Sequence, residues 1–152
     1  MRILSPTEAS YLAGLIDADG TVTLARKHRN ENRHLAISIS NTDRSLLAFA
    51  RAVVGAGKVT RKRVTKANHS PSFVFAIYNR QALALLARIS TFLRTYKALR
   101  ARAILTHYIE LTPRNGKYTP AMRSARLAFE EQVLNIRPGK TSTDSYIRPP
   151  TG

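Results

Sequence analysis

Asp17 and Asp19 stand two residues apart at the end of the run Leu12-Ala13-Gly14-Leu15-Ile16-Asp17-Ala18-Asp19-Gly20. Carboxylates are scarce in this chain: Asp and Glu total 9 against 25 Lys and Arg. In a helical run, Asp19 falls at the C-terminus, where backbone carbonyls already present negative charge. A carboxylate placed there needs a cation or a hydrogen-bond donor to answer it. Carbonyl and carboxylate oxygens are the ligands preferred by hard cations such as Mg²⁺, and Gly20 offers a turn whose carbonyls can point to the same spot. A two-fold axis along paired helices would bring two copies of Asp19 together. Metal ions held between them could activate water and stabilise the leaving oxygens of in-line phosphodiester cleavage. Asp17 lies about 200° around the helix from Asp19. It cannot share one metal with Asp19 as a helix neighbour, and is expected to pair with a base or support the turn.

The same helix carries a second pattern. Ser10, Ala13, Gly14 and Asp17 fall at i, i+3, i+4 and i+7, a narrow face of small residues. Such a face permits close backbone approach to another helix. Gly14 inside a helix costs about 1 kcal/mol relative to Ala, and a helix–helix seam would offset that. These four residues are the candidate dimer interface; a seam within one chain is the plainer alternative. Leu12, Leu15 and Ile16 are left to face a core.

Other chemistries are poorly served. With no Cys there is no disulfide framework, thiolate metal site or cysteine nucleophile. His28, His34, His69 and His107 are scattered without metal-ligand spacing. The net charge of +16 calls for a polyanionic partner, with nucleic acid the default. No apolar run is long enough for a membrane span, and no basic amphipathic helix with a large apolar face suggests a membrane surface. The stretch Met1 to Pro6 lacks the apolar core of a signal peptide. An intracellular location is expected, cytoplasmic or organellar, wherever the target DNA is.

The elements that must position these residues can be read in order. Ser5-Pro6-Thr7-Glu8 forms a capping box with Pro at the first helical position, starting a helix that runs to about Ala18. Thr21 to Arg29, β-branched and alternating at first, and Leu35 to Ser40, alternating cleanly, read as strands around the turn Asn30-Glu31-Asn32. Asn41-Thr42-Asp43 caps a second helix that Gly55-Ala56-Gly57 ends. Lys58 to Val64 and Ser72 to Tyr78 repeat the strand pair, and Asn79 is placed to cap a third helix. Helix-strand-strand-helix-strand-strand-helix predicts an α+β fold, one antiparallel sheet with helices on one face and the other face wet. Lys97 to Glu110 and Thr119 to Ile136 add two C-terminal helices. Residues 1–136 are expected to form one domain, with residues 137–152 as an extended tail.

The run from Leu12 to Gly20 reads LAGLIDADG, and through it the chain resembles the LAGLIDADG homing endonucleases. The likeness in element order covers roughly residues 5 to 111. The resemblance implies a hydrolase that cuts double-stranded DNA with divalent metal at a long pseudo-palindromic site. One motif rather than two implies the homodimeric, intron-encoded type. It further implies that Asp19 and the backbone carbonyl of Ala18 bind the metal. The expected cofactor is Mg²⁺, or another divalent cation such as Mn²⁺ or Ca²⁺ as a non-catalytic substitute. Asn41, at a position where many relatives have Gln, corresponds to the residue that orders active-site water. Lys97 corresponds to a basic residue at the solvent network of the scissile phosphate. Taken on their own, Asn41 reads equally well as a helix cap and Lys97 as a solvated lysine.

Alternate residues of a strand share a face. If Val22, Leu24, Leu35, Ile37, Ile39, Val59, Phe75 and Ile77 face the helices, then Thr23, Lys27, Arg29, His34, Ser38, Ser40, Lys58, Thr60, Lys62 and Tyr78 line the open face. Small, polar and basic side chains on such a sheet can follow the major groove, where Lys and Arg donate to guanine and small residues admit thymine methyls. A two-fold dimer would read one half-site per subunit. An intron RNA maturase, with RNA as a secondary partner, and a catalytically inactive DNA-binding regulator are the competing functions. The carboxylate at Asp19 weighs against the second of these.

Overall fold

The computed structural model describes residues 1–62 and 71–139. It contains α1 (Pro6–Asp19), β1 (Gly20–Ala25), β2 (His34–Asn41), α2 (Arg44–Val54), β3 (Lys58–Arg61), β4 (Phe73–Tyr78), α3 (Asn79–Ile89), α4 (Tyr96–His107) and α5 (Pro120–Asn135), with a single 3₁₀ turn at Ser90–Phe92. The α+β class and element order are as the sequence predicts.

Local chemistry accounts for the helix starts. Ser5 and Glu8 form the reciprocal capping box, the Glu8 amide donating to Ser5 Oγ at 3.1 Å and the Ser5 amide to Glu8 Oε1 at 3.0 Å. Asp43, not Asn41, is the N-cap of α2, accepting from the Ser45 amide at 3.0 Å. Gly55 ends α2 in the left-handed conformation at φ 73°. Asn79 does not cap α3. It is the first helical residue, at φ 55°, and its Oδ1 accepts from the Tyr108 hydroxyl at 3.3 Å. A side chain engaged there is not folded back on its own helix.

The sheet is antiparallel throughout, in the order β1-β2-β4-β3. The two hairpins therefore meet through β2 and β4 at the centre. Val22, Leu24, Leu35, Ile37, Ile39, Phe75 and Ile77 are buried on one face against α1, α2 and α3. Helices α4 and α5 extend this core beside β1 through Ala101, Ile104, Tyr108, Phe129 and Val133. The first strand is shorter than the expected Thr21 to Arg29. It stops at Ala25, so Lys27 and Arg29 lie in the loop that precedes His34. Likewise β3 ends at Arg61; Val64, His69 and most of the polar stretch from Thr65 to Pro71 lie outside the described residues, as does the tail from residue 140. Among the described residues no helix is long and apolar enough to cross a membrane.

Candidate functional site

Helix α1 hands directly into β1. Gly20 makes that junction possible through space rather than through a left-handed turn, since its φ is −109°. A Cβ on Gly20 would stand 2.6 Å from the Ile16 Cα and 2.8 Å from the Ser38 carbonyl oxygen, both backbone. Only glycine lets the helix end press onto β2, and that contact sets Asp19 beside the end of β2. There Asn41 Nδ2 donates to Asp19 Oδ2 at 3.0 Å, while Asn41 Oδ1 accepts from the Asp43 amide at 2.8 Å. Asn41 thus bridges the acidic end of α1 and Asp43, the cap of α2. Asp19 and Ala18 are exposed.

Lys97 is neither a solvated lysine nor an exposed one. It is 7% exposed, and its Nζ donates to the Ile16 carbonyl at 2.7 Å and the Asp17 carbonyl at 3.0 Å. These are carbonyls of the last turn of α1, so an ammonium sits where the helix dipole is most negative. Burial pulls the Lys97 pKa below the ordinary lysine value; Asp17 opposes that fall, Arg100 adds to it and Asp19 opposes it. Lys97 therefore reaches the site through the backbone that carries Ala18 and Asp19.

Asp17 points away from that end. Its carboxylate accepts from the Arg94 amide at 2.8 Å, the Thr95 amide at 3.2 Å and the Thr95 hydroxyl at 2.6 Å. It ties α1 to the start of α4, whose N-cap is Thr95, and so presents Lys97 to α1. The sequence reading missed Thr95; its signal was a threonine immediately before a helical stretch.

The small residues of α1 do not share one exposed face. Ala13 is 0% exposed and packs in the chain's own core with Ala9, Leu12 and Ile16. Asp17 is half-buried against the segment before α4. Neither is available to a seam with another subunit. Ser10 and Gly14 are exposed, and a Cβ on Gly14 would meet nothing within 4 Å. The outward line of α1 therefore runs through Thr7, Ser10, Gly14 and Ala18, one small rotation from the face first drawn. Helical spacing of small residues cannot tell a seam within a chain from one between chains, which is why Ala13 was misplaced.

On the sheet, the cross-strand partners Thr21–Ser38–Ala76–Lys58 form one row, with Thr23–Ala36–Tyr78 and Ser40–Val74–Thr60 on either side. Directly paired residues share a face, so Thr23, Ser38, Ser40, Lys58, Thr60 and Tyr78 do line the face opposite the core. His34 lies at the β1 end of this face, with its ring edge-on to Tyr78 at 5.6 Å. Lys62 continues the alternation, its amide donating to the Ser72 carbonyl at 2.8 Å. Lys27 and Arg29 belong to the exposed loop beyond β1. No acidic side chain stands among the outward strand positions.

Asp19 and the Ala18 carbonyl supply only oxygens, which suits a hard divalent cation. Among the described residues of one chain, no group of three or more His, Cys, Asp and Glu side chains could hold a metal ion.

Residues 6–90 match the family described as LAGLIDADG-like domain. Among solved structures, the homing endonuclease I-CvuI in complex with its target in the presence of Ca is similar over 90% of this chain and 86% of that chain, with TM-score 0.69 and 19% identity. The archaeal intron-encoded homing endonuclease I-Vdi141I complexed with DNA is similar over 91% of this chain and 89% of that one, with TM-score 0.64 and 16% identity. The LAGLIDADG meganuclease I-AabMI bound to uncleaved DNA matches 80% of this chain but only 43% of its own, with TM-score 0.60 and 16% identity. No curated protein matches the chain. The run from Leu12 to Gly20, the helix-hairpin repeat it leads into and the match over residues 6–90 together show that the chain belongs to the LAGLIDADG-like domain family and has the homing-endonuclease fold.

Proposed function

We propose that the protein is a site-specific endonuclease for double-stranded DNA, active as a homodimer with a divalent cation. The observation that carries this reading is the placement of Asp19: an exposed carboxylate, oriented by Asn41, at the edge of a sheet face free of acidic side chains in a chain of net charge +16. The fold neighbours I-CvuI and I-Vdi141I are described in complex with DNA. I-AabMI, of which this chain spans 43%, leaves room for a second unit of similar size. Nothing in the fold or among the neighbours favours an RNA partner.

Asp19 and the Ala18 carbonyl would hold the cation, Mg²⁺ in the first instance, with the equivalent pair from a second copy. When bound, the ion supplies a lowered water pKa and a counter-charge for the leaving oxygen. Asn41 fixes the carboxylate through Oδ2. Lys97 neutralises the carbonyl end of α1, which otherwise repels both Asp19 and an approaching phosphate. The open sheet face and the loop after β1 supply recognition, their Lys, Arg and Thr side chains meeting base edges, while Arg residues on the helices meet phosphates.

A target is first enriched from a randomised duplex library using the wild-type protein. Cleavage is then followed with Mg²⁺ and with EDTA for wild type and Asp19→Asn. Double-strand cleavage that needs Mg²⁺ and is lost in Asp19→Asn, with binding retained, supports the proposal. Selective binding without cleavage under any divalent cation makes the protein a DNA-binding regulator and overturns it.

A further inference from the structure

The C-terminal helix α5 buries a charged pair that the site above does not use. Arg126 is 1% exposed and Glu130 is 4% exposed. Arg126 Nε donates to Glu130 Oε2 at 3.2 Å. The other Arg126 nitrogens donate to the carbonyls of Leu111 and Arg33 and to the Thr112 hydroxyl, and the guanidinium lies 5.0 Å over the Tyr108 ring. Glu130 Oε1 in turn accepts from the Arg33 amide at 3.1 Å. Both the amide and the carbonyl of one residue, Arg33, are thus gripped by one pair of side chains a helical turn apart.

Arg33 is no ordinary residue to hold. It is the last residue of the exposed loop 26–33, immediately before β2. That loop carries Arg26, Lys27, His28 and Arg29, and before Arg33 it has short local bonds such as Arg26 Nη1 to the Arg29 carbonyl at 3.0 Å. Two residues further on, the Leu35 amide lies beyond the end of the β2–β4 ladder, which stops at Ala36 and Tyr78. Tyr108 replaces the missing strand there, its hydroxyl accepting from Leu35 at 3.1 Å. Helices α4 and α5 therefore complete the sheet at the foot of the loop.

A buried ion pair is an inefficient way to gain stability, because well-packed apolar residues of similar volume do as well or better. Its directional bonds do something apolar packing cannot: they set the backbone of Arg33 at a fixed height and angle. Resting on the DNA-reading function proposed above, we infer that Arg126 and Glu130 are positioning residues for specificity. They aim the 26–33 loop at the outer part of each DNA half-site, and the C-terminal helix is in this sense part of the recognition apparatus.

The test uses the full chain with both partners replaced together, Arg126→Leu with Glu130→Leu, so that no lone charge is left buried. Hydrogen exchange on the DNA-free protein reads the clamp itself. Faster exchange of residues 27–33, with α1 and α2 unchanged, supports the inference; unchanged exchange of the loop overturns it. The enriched wild-type duplex, randomised one position at a time, reads recognition. Discrimination should fall about tenfold at a contiguous outer block of each half-site, the loss of one good base contact, and stay unchanged at the centre. A uniform loss at all positions overturns the inference, since that is what general destabilisation would produce. Arg126→Lys alone should restore only part of the discrimination, because an ammonium cannot span Glu130, Leu111 and Arg33 at once. Failure to enrich any duplex would count against the DNA-reading function, while loop exchange would still decide whether the clamp exists.

Discussion

Gly14→Ala separates the energetics of the single chain from those of the assembly. Gly14 lies in the middle of α1, and a Cβ there meets no atom of its own chain within 4 Å. Ala is better than Gly in a helix interior by about 1 kcal/mol, so the isolated chain should gain about that much. In a dimer with α1 against its symmetry mate, each interface receives the methyl twice, once from each subunit. Over-packing costs about 1–3 kcal/mol per site, hence about 2–6 kcal/mol per dimer. Even the lower end raises the dimer dissociation constant roughly thirtyfold. Analytical ultracentrifugation over a dilution series measures that constant. Urea unfolding at concentrations below the dissociation constant measures the chain alone. The two should move in opposite directions. A more stable chain with unchanged dimer dissociation would show that Gly14 is not at the seam. A wild-type protein that is monomeric at all concentrations would remove the basis of the argument altogether.

Three further outcomes follow from the same geometry. Gly20→Ala should destabilise the fold by about 1–3 kcal/mol, because the backbone of Ile16 and Ser38 occupies the new Cβ position; thermal unfolding checks this, and the variant's cleavage should fall further than its stability because Asp19 is displaced. Tyr108→Phe removes the hydroxyl that accepts from the buried Leu35 amide, which should cost about 1–3 kcal/mol and speed exchange of the Leu35 amide beyond that of its neighbours. Asp43 has its pKa lowered below 3.8 by the hydroxyl and amide of Ser45. Its contribution to stability is thus fully present above 3.8 and is lost as pH falls through the lowered value, so the stability gap between wild type and Asp43→Asn should close over that acidic range in a denaturant titration.

Much of the fold was legible in local pattern. The capping box at Ser5 and Glu8, the alternation of Leu35 to Ser40 and the Gly55 stop each depend on a few neighbouring residues, and each appears where local chemistry requires it. The two faces of the sheet were readable for the same reason, since a period of two commits every second side chain. Strand lengths were less so: β1 ends at Ala25 rather than Arg29, where the apolar alternation gives way to Arg26-Lys27-His28-Arg29 and β2 offers no ladder partner beyond His34. Asn79 was misread as a cap because its side-chain partner, Tyr108, lies twenty-nine residues along the chain.

By itself the sequence determined that one carboxylate, Asp19, would close a helix beside a basic antiparallel sheet, because helix length, capping and strand period are local properties of the chain. Tertiary structure alone decided what surrounds that carboxylate. It turned Ala13 inward, committed Asp17 to Thr95, buried Lys97 under the last carbonyls of α1, set Asn41 on Asp19 and placed Arg126 and Glu130 on Arg33. Those contacts join residues far apart in the chain, and only packing and the need to satisfy each buried polar group select among the many partners that local pattern allows.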